Sequence, residues 1–317
     1  MSPVPALVLG LLALLLAGPV PAVLARARWP LQAPRAALVL WQAVALAAVL
    51  AAFGCGLAIA SRLLVPDADG RPTTGPGREI DALGVPLWSL YLVALALTLL
   101  VGGRLMVTLV QVAVRTRRRR AWHRNLVDLL DQVDIPTPQG RTTDLRVLQA
   151  AAPMAYCLPG LRSRVVVSDG MLTALPAEEV RAILLHERAH LRARHDLVLE
   201  AFTTVHQAFP RLVRSGSALQ AVRLLIELLA DDAALGQTGP TPLANALVAC
   251  ASVQAPAGAL AAGGTATLAR VQRLTPGQPR HRAAGPLAYL AAAAILVVPT
   301  LAVAVPWLTE ISRLLSR

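Results

Sequence analysis

Four long apolar stretches divide the chain of 317 residues, at positions 4–25, 36–60, 85–114 and 283–308. Each can cross a bilayer, which takes about 20 residues, and Arg104 is the only charged residue within them. No basic segment precedes the first stretch, as it would in a cleaved secretory signal, so we expect this stretch to remain as a helix. The pattern predicts three transmembrane helices in residues 1–114 and a fourth, with a short tail, in residues 283–317.

The basic residues between these stretches predict an orientation. The chain is 56% hydrophobic yet has a net charge of +12, and all of its 30 basic residues are Arg. Loop 26–35 has three Arg and no acid, loop 61–84 has a net charge of −1, and segment 115–282 has 21 Arg against 13 acidic residues. Because Arg concentrates on the cytoplasmic side, we expect a multi-pass plasma-membrane protein with segment 115–282 in the cytoplasm and both termini outside.

The Arg run RTRRRR at 115–120 has two interpretations. Such a run is typical of nucleic-acid binding, but it directly follows a membrane helix, where basic side chains meet anionic lipid headgroups. We therefore expect the lipid bilayer as the partner of this run and no direct nucleic-acid binding.

Segment 115–282 is long enough for a domain of its own. Its pattern predicts an amphipathic helix at 122–133, strands at 145–150 and 164–168, and a turn at Asp169–Gly170. A further helix is predicted to begin at Pro176, with Glu178 and Glu179 in its first turn. The predicted fold is a four-helix membrane protein with a mainly helical α+β cytoplasmic domain that carries a small sheet.

The predicted helix after Pro176 contains the sequence HERAH at 186–190. Residues four apart lie on the same face of a helix, so His186 and His190 can bind one ion, and Glu187 lies beside it. Two such histidines with an intervening Glu that acts as a general base are typical of zinc hydrolases. The pattern predicts His186 and His190 as metal ligands, Glu187 as the catalytic base and Zn²⁺ as the cofactor.

Two acidic residues compete for the third ligand position. Asp196 follows His190 by six residues, but no Gly is present at Ala193 to turn the chain, and a continuing helix would carry Asp196 away from the ion. Glu227 and Asp231 stand four apart in LLIELLADDAAL, an otherwise apolar helix in which unpaired acids are costly. We therefore favour Glu227 as the ligand and Asp231 as the carboxylate that accepts the free N–H of a zinc-bound His.

The motifs HERAH and ELLADDAA resemble the HExxH…ExxxD pattern of glutamate-zincins such as the HtpX-type and CAAX-processing proteases. The order of three membrane helices, a zinc domain and a fourth helix is more similar to the BlaR/MecR-type antirepressor metallopeptidases. SRVVVSDGMLTAL and ARVQRLTP also resemble segments of these families. The resemblance implies the same ligands and base, and it implies an edge strand that binds substrate backbone, formed by Arg164, Val165, Val166, Val167 and Ser168.

One departure from the BlaR/MecR plan concerns the sensor. That plan implies a penicillin-binding domain after the last helix, whereas nine residues follow Leu308 and the sequence has no SxxK motif. We expect this chain to lack the sensor domain, so the resemblance predicts a protease whose signal is unknown.

Three functions remain open from the sequence. The first is a zinc endopeptidase that cleaves a cytosolic or membrane-proximal protein, such as a transcriptional repressor. The second is a quality-control protease for membrane proteins, as in the HtpX-type enzymes. The third is a signal adaptor with structural zinc, which the presence of Glu187 argues against because a structural site needs no base.

Overall fold

The computed structural model describes residues 3–64, 75–131, 142–210, 215–254, 263–274 and 284–315. The α-helices are α1 Val4–Ala17, α2 Pro19–Arg26, α3 Pro34–Ala60, α4 Pro76–Leu83, α5 Val85–Leu129, α6 Asp169–Ala174, α7 Ala177–Arg192, α8 His195–Ala208, α9 Ser215–Thr238, α10 Pro240–Gln254, α11 Gly263–Leu274, α12 Ala284–Pro299 and α13 Val305–Leu315. The strands are β1 Leu145–Leu148, β2 Ala155–Leu158 and β3 Arg164–Ser168.

Four helical segments of the described chain are long and apolar enough to cross a membrane: Val4–Arg26, Pro34–Leu63, Val85–Leu129 and Ala284–Arg313. They confirm the four apolar helices that the sequence predicts. The first is broken at Gly18 between α1 and α2, and the fourth contains a π-helical turn after Pro299, since proline cannot continue the hydrogen-bond ladder. Large apolar side chains such as Leu97 and Leu100 lie exposed on α5, as expected of a surface that faces lipid.

Helix α5 is longer than the predicted membrane stretch, because it continues through the Arg run to Leu129. Its 45 residues span about 67 Å at 1.5 Å per residue, whereas the hydrocarbon core of a bilayer is about 30 Å thick. The predicted amphipathic helix at 122–133 is therefore the end of α5 rather than a separate element. Arg is a good helix former, so the charged run does not end the helix.

The sheet has three strands in the order β1–β3–β2. Strand β3 pairs with β1 in parallel and with β2 in antiparallel orientation. The prediction that Arg164, Val165, Val166, Val167 and Ser168 form an edge strand is therefore wrong, because this strand is central and pairs on both sides. Strand β2, for which the sequence pattern gives no signal, is one of the two outer strands. The predicted turn at Asp169–Gly170 is the start of α6, whose first turn is capped by the Ser168 hydroxyl.

The sheet lies between two helices. On one face, Val165 and Val167 pack with Val180 and Leu184 of α7 in a buried core. On the other face, Val166 packs against Val127 near the end of α5. Helix α5 thus contributes both to the apolar bundle and to the domain that follows it.

The domain also packs against the ends of the apolar helices. Leu24 of α2 and Trp41 of α3 share a core with Phe202 of α8 and Val222 of α9. The Arg104 side chain of α5 donates a hydrogen bond to the backbone carbonyl of Ala208, at the end of α8 (2.7 Å). Helices α8 and α9 are therefore held directly against the bundle, and both lead to the site described next.

Candidate metal centre

Helix α7 carries the HERAH motif and forms as the sequence predicts. Pro176 immediately precedes its first residue, and Glu178 and Glu179 lie in its first turn, where the helix dipole favours negative charge. One face of α7 packs against the sheet, and its neighbour across the domain is α9. The face that carries the two histidines is therefore directed between the sheet and α9.

Three donor groups converge between α7 and α9. The Nε2 atoms of His186 and His190 lie 3.1 Å apart. The Glu227 carboxylate places one oxygen 3.4 Å from His186 Nε2 and the other 3.6 Å from His190 Nε2. Ligands at about 2.0–2.1 Å from a tetrahedral ion are separated by about 3.3 Å. The three groups thus have the chemistry and the spacing of three zinc ligands, and they form the one candidate metal group found in the described residues.

The second nitrogen of each histidine also has a close neighbour. His186 Nδ1 lies 3.0 Å from Oδ1 of Asp231, a residue that is 1% exposed. His190 Nδ1 lies 3.0 Å from Nδ1 of His195, the first residue of α8. A partner on the second nitrogen fixes the orientation and tautomer of a metal-binding imidazole. Asp231 thus lies beside the second nitrogen of a predicted ligand, as expected from the sequence. The contact of His195 with His190 was not expected.

Arg270 of α11 pairs with two carboxylates of the site, those of Asp231 and Glu227. Its guanidinium binds both oxygens of Asp231, at 2.8 and 2.7 Å, and lies 3.1 Å from Glu227. One turn further along α11, Arg273 binds both oxygens of Asp232 at 2.7 and 2.9 Å. Two neighbouring Arg–Asp pairs therefore hold α11 against α9. Arg270 lies in the segment ARVQRLTP, and its role was not predicted from the sequence.

Glu187 lies next to the three donor groups, in a cleft of about 200 Å³ that His186, Glu227 and Arg270 also line. Burial raises the pKa of the Glu187 carboxyl, which the charge of His186 and a hydrogen bond with the Cys157 side chain on β2 partly offset. Burial also raises the pKa of the Cys157 thiol, so this thiol is protonated and is the donor. A carboxylate with a raised pKa beside a candidate metal site fits the predicted general base.

The pKa values of the metal-site groups diverge. Burial alone would lower the pKa of His186, but Asp231 and Glu227 outweigh it and raise the value to about 9. Burial and the neighbouring His186 lower the pKa of His190 to about 4. Burial raises the pKa of Glu227, but contacts with His186 and Arg270 outweigh this and lower it. The charged form of His186 is therefore favoured by the two neighbouring carboxylates, in a position that suits a cation.

Asp196, the competing candidate for the third ligand, lies outside the group of metal donors. The sequence predicts a helix that continues to Asp196, but α7 ends at Arg192. Arg194 then turns the chain with a left-handed backbone conformation (φ 51°). The Asp196 carboxylate instead binds Arg120 of α5 at 3.0 Å. Tyr156 of β2, also near this region, contacts His123 of α5 at 2.9 Å.

Comparison with known protein families gives one match. Residues 116–262 match the model of peptidase family M48, and this segment includes His186, Glu187, His190, Glu227 and Asp231. No curated protein and no solved structure matches the chain. Residues 116–262 are therefore similar to peptidase family M48, and the donor groups His186, His190 and Glu227 lie within this segment.

Proposed function

We propose that this protein is an integral-membrane zinc endopeptidase. The observation that carries the proposal is the convergence of His186 Nε2, His190 Nε2 and the Glu227 carboxylate beside Glu187. A structural zinc site closes its fourth position with another protein ligand. The group found in the described residues has three donors and a base next to it, an arrangement that favours catalysis over a purely structural metal.

The reaction would be the hydrolysis of a peptide bond. Zn²⁺, held by His186, His190 and Glu227, would supply a Lewis acid that polarises the carbonyl and acidifies water. Glu187 takes a proton from the attacking water and delivers it to the leaving nitrogen. The raised pKa of Glu187 suits this cycle, because the carboxyl must accept the proton and then release it.

For the substrate backbone, we propose β2 instead of the central strand β3. Strand β2 lies at the outside of the described sheet and packs beside α7. Its Cys157 contacts Glu187, so a peptide paired along β2 would place its backbone close to the base. Outer strands offer unpaired N–H and C=O groups that an extended peptide can join.

The membrane position is part of the proposal. The four apolar helices and the exposed leucines of α5 support a multi-pass membrane protein. The core shared by Leu24, Trp41 and Val222 puts the turn between α2 and α3 on the same side of the bundle as the metal site. Both regions are rich in Arg, which favours a cytoplasmic location for both and, with four crossings, extracytoplasmic termini.

The substrate class that we propose is a cytosolic or membrane-proximal protein, such as a transcriptional repressor in a BlaR/MecR-like signalling route. The order of apolar helices around the peptidase domain supports this route. Clearance of damaged membrane proteins, as in the HtpX-type proteases, uses the same chemistry and is the alternative. The two differ in their targets: one or a few soluble proteins in the first case, many membrane proteins in the second.

The test is a comparison of new protein N-termini in cells that express the wild type or Glu187→Gln. We expect Glu187→Gln to abolish cleavage while the purified protein retains its fold and one zinc per chain. Glu178→Gln, in the exposed first turn of the same helix, is the matched control and should cleave as the wild type does. Undiminished cleavage by Glu187→Gln would overturn the proposal.

A further inference from the structure

His195 lies where a metal-bound His190 needs a hydrogen-bond acceptor. When His190 binds a metal through Nε2, its Nδ1 carries the remaining proton and must donate it. The atom that lies 3.0 Å from it is Nδ1 of His195, which then acts as the acceptor. His195 is 5% exposed, so solvent cannot easily replace it in this role.

The backbone between α7 and α8 brings His195 to this position. A continuous helix would turn a residue five positions beyond His190 away from its ring. Arg194, the one non-glycine residue with positive φ among the described residues, reverses the chain with φ 51° and ψ 41°. Such a conformation is unfavourable for a residue with a side chain, and here it places His195 back against His190.

Helix α8 is in turn held by α5 at both ends. At the start of α8, Arg120 Nη1 lies 3.0 Å from Asp196 and 2.8 Å from Glu200. All three side chains are largely buried, with exposures of 23%, 12% and 14% respectively. At the other end, Arg104 donates to the carbonyl of Ala208. The position of His195 therefore depends on the helix that leads to the apolar bundle.

We propose that His195 is a positioning residue that orients the metal-binding imidazole of His190, and that Arg120 of α5 fixes His195 through its ion pairs with Asp196 and Glu200. This inference rests on the proposed metal site. It adds a physical link from the third apolar helix to one zinc ligand: Arg120, then the start of α8, then His195, then His190. A displacement of α5 relative to α8 would act on the metal site through this link.

The experiment measures zinc affinity and not cleavage. Full-length protein with Glu187→Gln is purified in detergent micelles, stripped of metal and titrated with Zn²⁺ in competition with a chelator of known affinity. In this background we expect His195→Ala to weaken zinc binding about 10- to 100-fold. His195→Gln, which offers an oxygen acceptor, should recover most of the loss. His206→Ala, on the same helix but eleven residues away, is the control and should bind as the parent does.

The link to α5 is tested with Arg120→Gln, which should also weaken zinc binding, but by less than His195→Ala does, because Arg120 acts on His190 only through His195. Arg119→Gln removes the neighbouring exposed charge and should have no effect. Co²⁺-loaded protein provides a second readout, since the visible absorption bands of Co²⁺ should change in His195→Ala and return toward the parent in His195→Gln.

The outcomes separate the inference from the function on which it rests. If the Glu187→Gln parent takes up no zinc, the proposed metal site itself fails. If the parent binds zinc and His195→Ala binds it with unchanged affinity, His195 has no positioning role. Equal losses in His195→Ala and His195→Gln, together with a lower melting temperature of both metal-free variants, would show a role in folding and would also overturn the inference. An unchanged affinity in Arg120→Gln would overturn the link to α5.

Discussion

The guanidinium of Arg270 binds both carboxylate oxygens of Asp231, at 2.8 and 2.7 Å, while Asp231 also lies 3.0 Å from His186 Nδ1. This carboxylate, 1% exposed, thus connects α11 to a predicted metal ligand on α7. A buried carboxylate needs such partners, because an unpaired charge in the interior is strongly unfavourable. Arg270 therefore matters both for the fold and for the orientation of His186.

Arg270→Gln should destabilise the metal-free protein. Removal of one partner from a buried ion pair costs about 3–5 kcal/mol, and His186 remains beside Asp231, so we expect a value near the lower end, about 3 kcal/mol. The measurement is chemical unfolding of the purified protein in micelles. Arg273→Gln is the matched control, because its partner Asp232 is 39% exposed and such a pair contributes less than about 1 kcal/mol. Equal effects of the two substitutions would contradict this account.

Zinc binding should release one proton at neutral pH. The pKa of His186 is raised to about 9 in the metal-free site, so the ring is charged at neutral pH, and a metal must displace its proton. Zinc affinity should then rise about tenfold per pH unit between about pH 6 and pH 8, and level off above about pH 9. Calorimetric titration in buffers of different ionisation enthalpy counts the protons released, and a pH-independent affinity would contradict the prediction.

The same raised pKa has a consequence for the metal-free fold. Because the pKa of folded His186 lies above its ordinary value of about 6.5, the charged ring stabilises the protein fully below about pH 6.5. This contribution is lost as the pH rises through about 9. Asp231→Asn removes the first of the acids that raise the pKa. It should reduce both this pH dependence and the number of protons released on zinc binding.

The local pattern was enough to predict part of this site. HERAH and Glu227 with Asp231 follow helical spacing, so the faces of α7 and α9 could be predicted from the sequence alone. His195 could not be, because its contact with His190 depends on the left-handed turn at Arg194, and the sequence lacks the Gly that usually marks such a turn.

Predictions were absent or wrong for features that depend on contacts between residues distant in the sequence. The run of valines in β3 indicates a buried strand, but whether a strand is central or outer depends on its partners. Strand β2 has only four residues, Ala155–Leu158, too few for an alternating pattern to stand out. Arg270 was missed for a similar reason, since its role depends on α11 packing against α9 and no local spacing connects it with Asp231.

Cys157→Ala should shift the pH dependence of cleavage. The Cys157 thiol donates a hydrogen bond to Glu187 and thereby lowers the pKa of that carboxyl. Its removal raises the pKa of Glu187, so a larger fraction of the base is protonated at low pH, and the acidic limb of kcat/KM moves to higher pH. Cys157→Ser keeps a donor and should move the limb less. Cys55→Ala, in α3, is the control, and a shift in that variant as well would contradict the assignment.

The shape of the cleft predicts which side chain lies next to the cleaved bond. Beside His186 and Glu187, the lining of the cleft includes the apolar side chains of Ile183, Leu243 and Leu247. A cavity of about 200 Å³ with such a lining favours one apolar side chain of medium size in the substrate.

Leu247→Ala should enlarge this cavity and shift the preference toward larger apolar residues. A change of one methylene in an apolar pocket alters discrimination by about 1–3 kcal/mol, so we expect the ratio of kcat/KM for Phe over Leu at this position to rise at least about tenfold. A peptide library scanned by mass spectrometry measures the ratio. Val248→Ala is the control, since Val248 lies on the same helix and is 55% exposed. If Leu247→Ala and Val248→Ala gave the same profile, this cleft would not bind the residue next to the cleaved bond.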